Sequence, residues 1–195
     1  MWLGERLQTA NRAATLLDHK LHVLRTEQER LAMIADRTRT EWDAAQREAE
    51  QWLTRAAVLG GQREIRIGTA EKLAEVTVTW NAVMGARYPA KAVCAPPPQS
   101  SEARSPGTAA LVEAVAAHRR ALRAAVQHAA ATAACRILET ETVETRRRLH
   151  AIADRWIPRL ESALRTLLER LDEAERSEAV QLRWAAGRAG SAGAP

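Results

Sequence analysis

The sequence has no phenylalanine and a single tyrosine, and aromatic residues make up only 4% of its 195 positions. Large aromatics carry much of the buried surface in compact cores. Their scarcity argues against an all-β fold and, less strongly, against a doubly wound α/β enzyme. Cysteine is almost absent too. Cys94 and Cys135 lack CxxC spacing, which points to neither a zinc site nor a disulfide framework and fits a reducing compartment. No apolar run approaches the roughly 20 residues needed to cross a bilayer. The opening MWLGERLQTANR turns polar at once, so no signal peptide is expected. Prolines and glycines are few and clustered, so breaks between helices should be few.

What remains is mostly Ala, Leu and Val with Arg and Glu, 46% hydrophobic and 27% charged, the composition of long helices and coiled coils. The net charge of +5 is carried nearly all by Arg, which alternates with Glu and Asp. That alternation describes a solvated helix surface rather than a nucleic-acid face.

The first segment has the clearest period. Leu3, Leu7, Ala10, Ala14, Leu17, Leu21, Leu24, Gln28, Leu31, Ala35, Thr38, Trp42, Ala45, Ala49, Trp52, Ala56 and Leu59 follow alternating steps of four and three. This is a coiled-coil seam of about eight heptads. At 1.5 Å per residue the helix spans roughly 85 Å, too long for a globular domain to enclose, which predicts a stalk.

Gly60-Gly61 should stop that helix. Val76, Val78 and Trp80 then alternate with Thr77 and Thr79, a strand pattern, and Met84-Gly85 can turn the chain, giving a β-hairpin at about 75–94. Pro96-Pro97-Pro98 to Ser105-Pro106-Gly107 reads as a stiff exposed loop. Thr108 has the character of an N-cap for a second long helix. Ala109 to Cys135 is Ala-rich and allows a neighbour to approach closely. Beyond Leu138 the seam continues at Leu149, Ile152, Trp156, Leu160, Leu164, Leu167, Leu171 and Ala174. Consecutive four-residue steps near Leu160 relax the supercoil, and Pro158 predicts a bend. The expected organisation is an N-terminal coiled-coil helix (1–59), a connector with the hairpin and the Pro-rich loop (60–107), a C-terminal coiled-coil helix (108–186) and a disordered tail (187–195). The fold class is all-α dominated, a long antiparallel two-helix coiled coil with the hairpin and loop inserted. With both helices ending together, Leu17 should stand near Leu171.

Catalytic chemistry is hard to find. Gly60-Gly61 is followed by Gln62-Arg63, not by the Lys and hydroxyl of a phosphate loop. Asp18, His19 and His22 share one helical turn but lack a fourth ligand and read as surface polar residues. His118, His128 and His150 have no Ser or Cys partner at recognisable spacing. Arg146-Arg147-Arg148 is a basic run with Glu144 at i,i+4 from Arg148, a solvated face rather than a partner patch. Trp42, Trp52 and Trp156 sit in the seams as packing residues. No catalytic, cofactor-binding or metal-ligating residue is expected, and no cofactor.

Three stretches together resemble the D subunit of the V-type and A-type rotary ATPases: Leu16 to Leu31 (LLDHKLHVLRTEQERL), Ala74 to Pro89 (AEVTVTWNAVMGARYP) and Thr145 to Arg176. The last carries the most specific match, at Thr145, Arg146, Arg148, Ala151, Ile157, Pro158, Leu160, Glu161, Leu171, Glu173, Glu175 and Arg176. The resemblance implies a non-catalytic central-stalk rotor shaft inside a hexamer of A and B subunits. It implies the F subunit at the side, a funnel-shaped subunit of the membrane ring below, and rotation coupling ATP synthesis or hydrolysis to proton or sodium transport. It also implies a cytoplasmic location, peripheral to the membrane through the complex, without membrane insertion or nucleic acid. The alternative is a prefoldin-like coiled-coil chaperone subunit, which also joins two helices through hairpin structure.

Overall fold

A computed structural model describes residues 2–69, 73–97 and 108–191, with the backbone alone described at 67–68 and 186–191. Its elements are α1 (Trp2–Gly68), β1 (Glu75–Val83), β2 (Ala86–Ala95), α2 (Ala109–His150), a π-helical turn (Ala151–Trp156) and α3 (Ile157–Ser191). The antiparallel coiled coil with an inserted two-stranded hairpin is the architecture expected. The Pro-rich loop from 98 to 107 lies outside the described residues. Two compact units divide the chain, residues 20–144 and residues 1–19 with 145–195.

In the unit 20–144 the seam is buried where the sequence places it, at Leu21, Leu24, Leu31, Thr38, Ala49 and Ala56. Three packed layers follow the pair. Leu24 and Leu31 meet Ala134 and Leu138 under the hairpin residues Ala86 and Tyr88. Ala49 meets Ala117 and Ala121, and Ala56 meets Ala110, Leu111 and Ala114. Small side chains let two helix backbones approach closely, so the Ala-rich stretch of α2 is spent on α1. The seam ends at Ala56, for Leu59 is exposed.

Helical turns do not stop at Gly60-Gly61. Gly61 alone leaves helical geometry, at φ 70° and ψ 176°, and a further run reaches Gly68. That conformation is open only to glycine, so the break is a one-residue kink. Past it, Glu64 Oε2 accepts a hydrogen bond from Thr108 Oγ1 at 3.1 Å, tying the end of α1 to the residue that begins α2.

The hairpin is antiparallel and turns at Met84-Gly85 with φ 48° and 86°. Positive φ at both central residues matches the right-handed twist of the flanking strands. Val76 pairs with Cys94 and Val78 with Ala92, but a bulge between Thr79 and Trp80 shifts the register, so that Asn81 pairs with Tyr88 and Val83 with Ala86. Residues opposite one another share a face. The simple alternation expected through Val76, Val78 and Trp80 is therefore interrupted. Asn81 and Val83 now stand opposite the buried Tyr88 and Ala86, and Trp80 turns outward, with the Arg87 guanidinium 5.1 Å from its ring centre.

In the other unit Ala10, Thr145 and Leu160 are buried, while Leu3, Leu7, Leu17, Leu149, Ile152 and Leu164 are half-buried. The Arg6 guanidinium lies 5.6 Å from the ring centre of Trp156. Leu17, about three turns further along α1, therefore stands level with about Thr145, three turns before Trp156. The expected pairing of Leu17 with Leu171 is wrong. A heptad seam specifies which face is buried but leaves sliding by whole heptads open, and the assumption of flush ends chose the wrong step. Leu167, Leu168 and Leu171 are exposed as a result.

Before Pro158 the chain takes one π-helical turn, in which the Ile157 N–H donates to the Ile152 carbonyl. Proline removes a donor and crowds the carbonyl four residues before it, and a wider turn relieves both. The same turn accommodates the run of four-residue seam steps, which a 3.6-residue helix cannot keep on one line. Helical backbone continues to Ser191, beyond the expected start of the tail at Gly187; residues 192–195 lie outside the described ones.

Candidate interaction surfaces

Asp18, His19 and His22 are exposed on α1, and among the described residues no three His, Cys, Asp or Glu side chains are grouped to hold a metal ion. His118 Nδ1 donates to the Ala114 carbonyl one turn back at 2.8 Å, and His150 Nδ1 pairs with Asp154 Oδ2 at 2.8 Å, both on a single helix. His128 differs. Its ring stacks on Trp42 with centroids 5.5 Å apart and an angle of 18° between planes. Thr38 Oγ1, which gives its hydrogen to the Ile34 carbonyl at 2.9 Å, stands 3.4 Å from His128 Nδ1. Arg146 and Arg147 are exposed, and Glu144 and Arg148 each have an interaction partner.

The seam tryptophans divide in role. Trp42 and Trp52 are half-buried between the helices, and the Arg55 guanidinium covers Trp52 at 4.6 Å. Trp156 is 44% exposed and shares Arg6 with Trp2, whose ring centre lies 4.6 Å from the same guanidinium. Cation–π contacts at exposed positions contribute about 0.5–1 kcal/mol each. The spacing of Trp2 and Arg6 at i,i+4 was the available signal for this cluster, and the seam reading passed over it.

A second cluster joins the hairpin to α1. Tyr88 Oη donates to Glu27 Oε1 at 2.5 Å, and Asn81 Nδ2 donates to Tyr88 Oη at 3.1 Å. Arg30 holds both oxygens of Glu27, at 2.9 and 2.6 Å. The Arg30 hydrogen bond, with that of Tyr88, keeps the Glu27 carboxyl below its ordinary range against the opposing effect of burial. Burial first, then the bond to Glu27, pushes the Tyr88 phenol up. Further along the pair, Lys20 meets Glu141 at 2.6 Å and Arg120 meets Glu48 at 2.7 Å, ties that long-range seam logic alone does not specify.

Two shallow hollows are lined by residues of one helix each, Thr54, Arg55, Val58 and Leu59 on α1 and Asp172, Glu175, Arg176 and Ala179 on α3. Each draws on a single helix. Exposed apolar side chains concentrate on α3, at Leu167, Leu168, Leu171, Val180, Leu182 and Trp184, and on the hairpin, at Val76, Val78, Trp80 and Val93. The family model for the ATP synthase D subunit matches residues 2–187.

The chain belongs to the ATP synthase D subunit family. No curated relative matches it. Membership makes the chain a stalk subunit of a rotary ATPase, engaged in ATP synthesis and ion transport within the central stalk. The family match spans both helices and the hairpin, so it includes the α3 stripe as far as Trp184 and the Tyr88 cluster. No helix among the described residues is long and apolar enough to cross a membrane.

Proposed function

We propose that this chain is the central rotor shaft of a V/A-type rotary ATPase, non-catalytic itself and turning within a hexamer of A and B subunits. The observation that carries the reading, beyond family membership, is the exposed apolar face of α3 at Leu167, Leu168, Leu171 and Leu182. Apolar side chains kept in water on one helix face cost free energy until a partner covers them. In this reading the outer faces of the helix ends, Leu3 to Arg30 and Leu160 to Trp184, meet the A and B subunits. The hairpin and the outward side of the Ala-rich stretch face the F subunit. The funnel-shaped subunit of the membrane ring receives the opposite end, and the complex sits at the cytoplasmic face of the membrane.

A single asymmetric shaft touches three A–B interfaces unequally. That inequality makes chemically identical sites differ in nucleotide affinity, and each tenfold difference needs only about 1.4 kcal/mol of differential contact. Turning the shaft then moves the inequality from site to site, which couples ATP chemistry to ion movement. No residue of this chain takes part in the chemistry. The prefoldin-like alternative has no observation in its favour once the family is known.

The test is native mass spectrometry of this chain mixed with the A and B subunits of its own organism. One copy per three A and three B is expected, and Leu167→Gln with Leu171→Gln should weaken entry at least tenfold. Three copies per hexamer, or no entry, would remove the shaft reading.

A further inference from the structure

The hairpin meets the helices through a narrow set of contacts. Along β1 every side chain is exposed except Val83, which is half-buried. In β2 the buried positions are Ala86, Tyr88, Pro89, Ala92 and Cys94, of which Tyr88 alone is large. Its ring is 1% exposed and lies in the layer of Leu24, Leu31, Ala134 and Leu138. Among the described residues, the side-chain hydrogen bond between hairpin and helix runs through its hydroxyl. One further polar tie, Arg119 Nη2 to the Pro97 carbonyl at 3.3 Å, falls beyond the end of β2.

We propose that the hairpin is a detachable arm, latched to the helix pair by Tyr88 in its pocket and by the Tyr88–Glu27 hydrogen bond, and able to lift off while α1 and α2 stay paired. The inference does not depend on the shaft reading.

Both sides of the latch are built to survive its opening. On the helix side, Glu27 keeps the bidentate Arg30 pair three residues along the same helix, so no carboxylate is stranded when the phenol leaves. A buried charge that loses its only partner carries a severe penalty, and Glu27 avoids it. Leu24, Leu31, Ala134 and Leu138 also pack on one another within the helix pair, in the layer that Ala86 and Tyr88 cover. On the arm side, the strands are joined by their own ladder from Glu75–Ala95 to Val83–Ala86 and closed by a two-residue turn. Asn81 stays beside Tyr88 on the same hairpin. The remaining buried positions are mostly small, so the phenol and its bond dominate what opening must give up. Local opening of this kind proceeds below the free energy of global unfolding.

Cys94 supplies a direct readout, since its thiol is on the covered face of β2 and 6% exposed. In full-length chain with Cys135→Ala, the rate at which Cys94 reacts with an excess of a water-soluble maleimide reports lifting of the arm. Tyr88→Phe, which keeps the ring and removes the hydroxyl, should accelerate that reaction at least tenfold. Glu27→Gln, which keeps an acceptor but removes its charge, should accelerate it by a smaller factor. Helix content and the midpoint of helix unfolding should stay as in the Cys135→Ala parent. Unchanged rates in both variants would overturn the latch. So would rates that rise only in proportion to a loss of helix-pair stability, because the arm would then open only with the whole unit.

Discussion

The layer at Leu24–Leu138 and the face of α3 at Leu167 and Leu171 have opposite environments. Leu138, Leu167 and Leu171 all come from the second long helical run at seam spacing, and a hydrophobic period alone does not tell them apart. In the first, Leu138 is fully buried against Leu24. In the second, Leu167, Leu168 and Leu171 are 42–53% exposed. The difference teaches that a seam is a statement about period and not about partner. One part has its partner in its own chain; the other is left exposed.

The widest contrast should come from truncation. Leu138→Ala removes a fully buried side chain and should cost about 2–5 kcal/mol, while Leu171→Ala should stay within about 0.5 kcal/mol on the isolated chain. Urea unfolding of both variants measures this, and equal losses would erase the distinction. Cross-linking sharpens the comparison by fixing the register. With Cys94 and Cys135 replaced by Ala, cysteine pairs scanned within one turn of Leu24 and Leu138 should oxidise within the chain, adding about 2–4 kcal/mol. Leu17→Cys with Leu171→Cys should not. A bond in the second pair would restore flush ends.

The smallest effect concerns pH within the Leu24–Leu138 layer. Glu27 titrates below its ordinary value of 4.5 in the folded chain. Its contribution is complete above that value and is lost as pH falls through the lower folded value. The free energy of unfolding measured from pH 6 to pH 3 should therefore fall more steeply for the parent than for Glu27→Gln, whereas α3 substitutions such as Leu171→Ala should leave that slope alone.

Much of the fold was readable because its signals are local and repeated. Leu3 to Ala56 announce one buried face by step length, and Val76-Thr77-Val78 before Met84-Gly85 announce a hairpin. Register was not readable, since it depends on single long-range encounters such as Lys20 with Glu141 and Trp42 with His128. The bulge at Trp80 and the π turn before Pro158 insert single residues that periodicity averages over, although Pro158 itself marked where to look. Of the contact clusters, Tyr88 was hidden because its partner Glu27 lies 61 residues away. Asp18, His19 and His22, which the spacing describes as surface polar residues, are exposed on α1.

The π turn at Ala151–Trp156 has a consequence for direction. Each residue of an α-helix rotates its successor by about 100° around the axis. A turn that takes up an additional residue therefore sets the azimuth of everything downstream, much as a spline fixes the angle between two lengths of shafting. Leu160 still meets its partner face after that offset, and Leu167, Leu171 and Leu182 inherit the same heading. Straightening the turn into an ordinary α-helix with every residue kept, by replacing Pro158, would leave α3 intact but point its apolar face about 100° away.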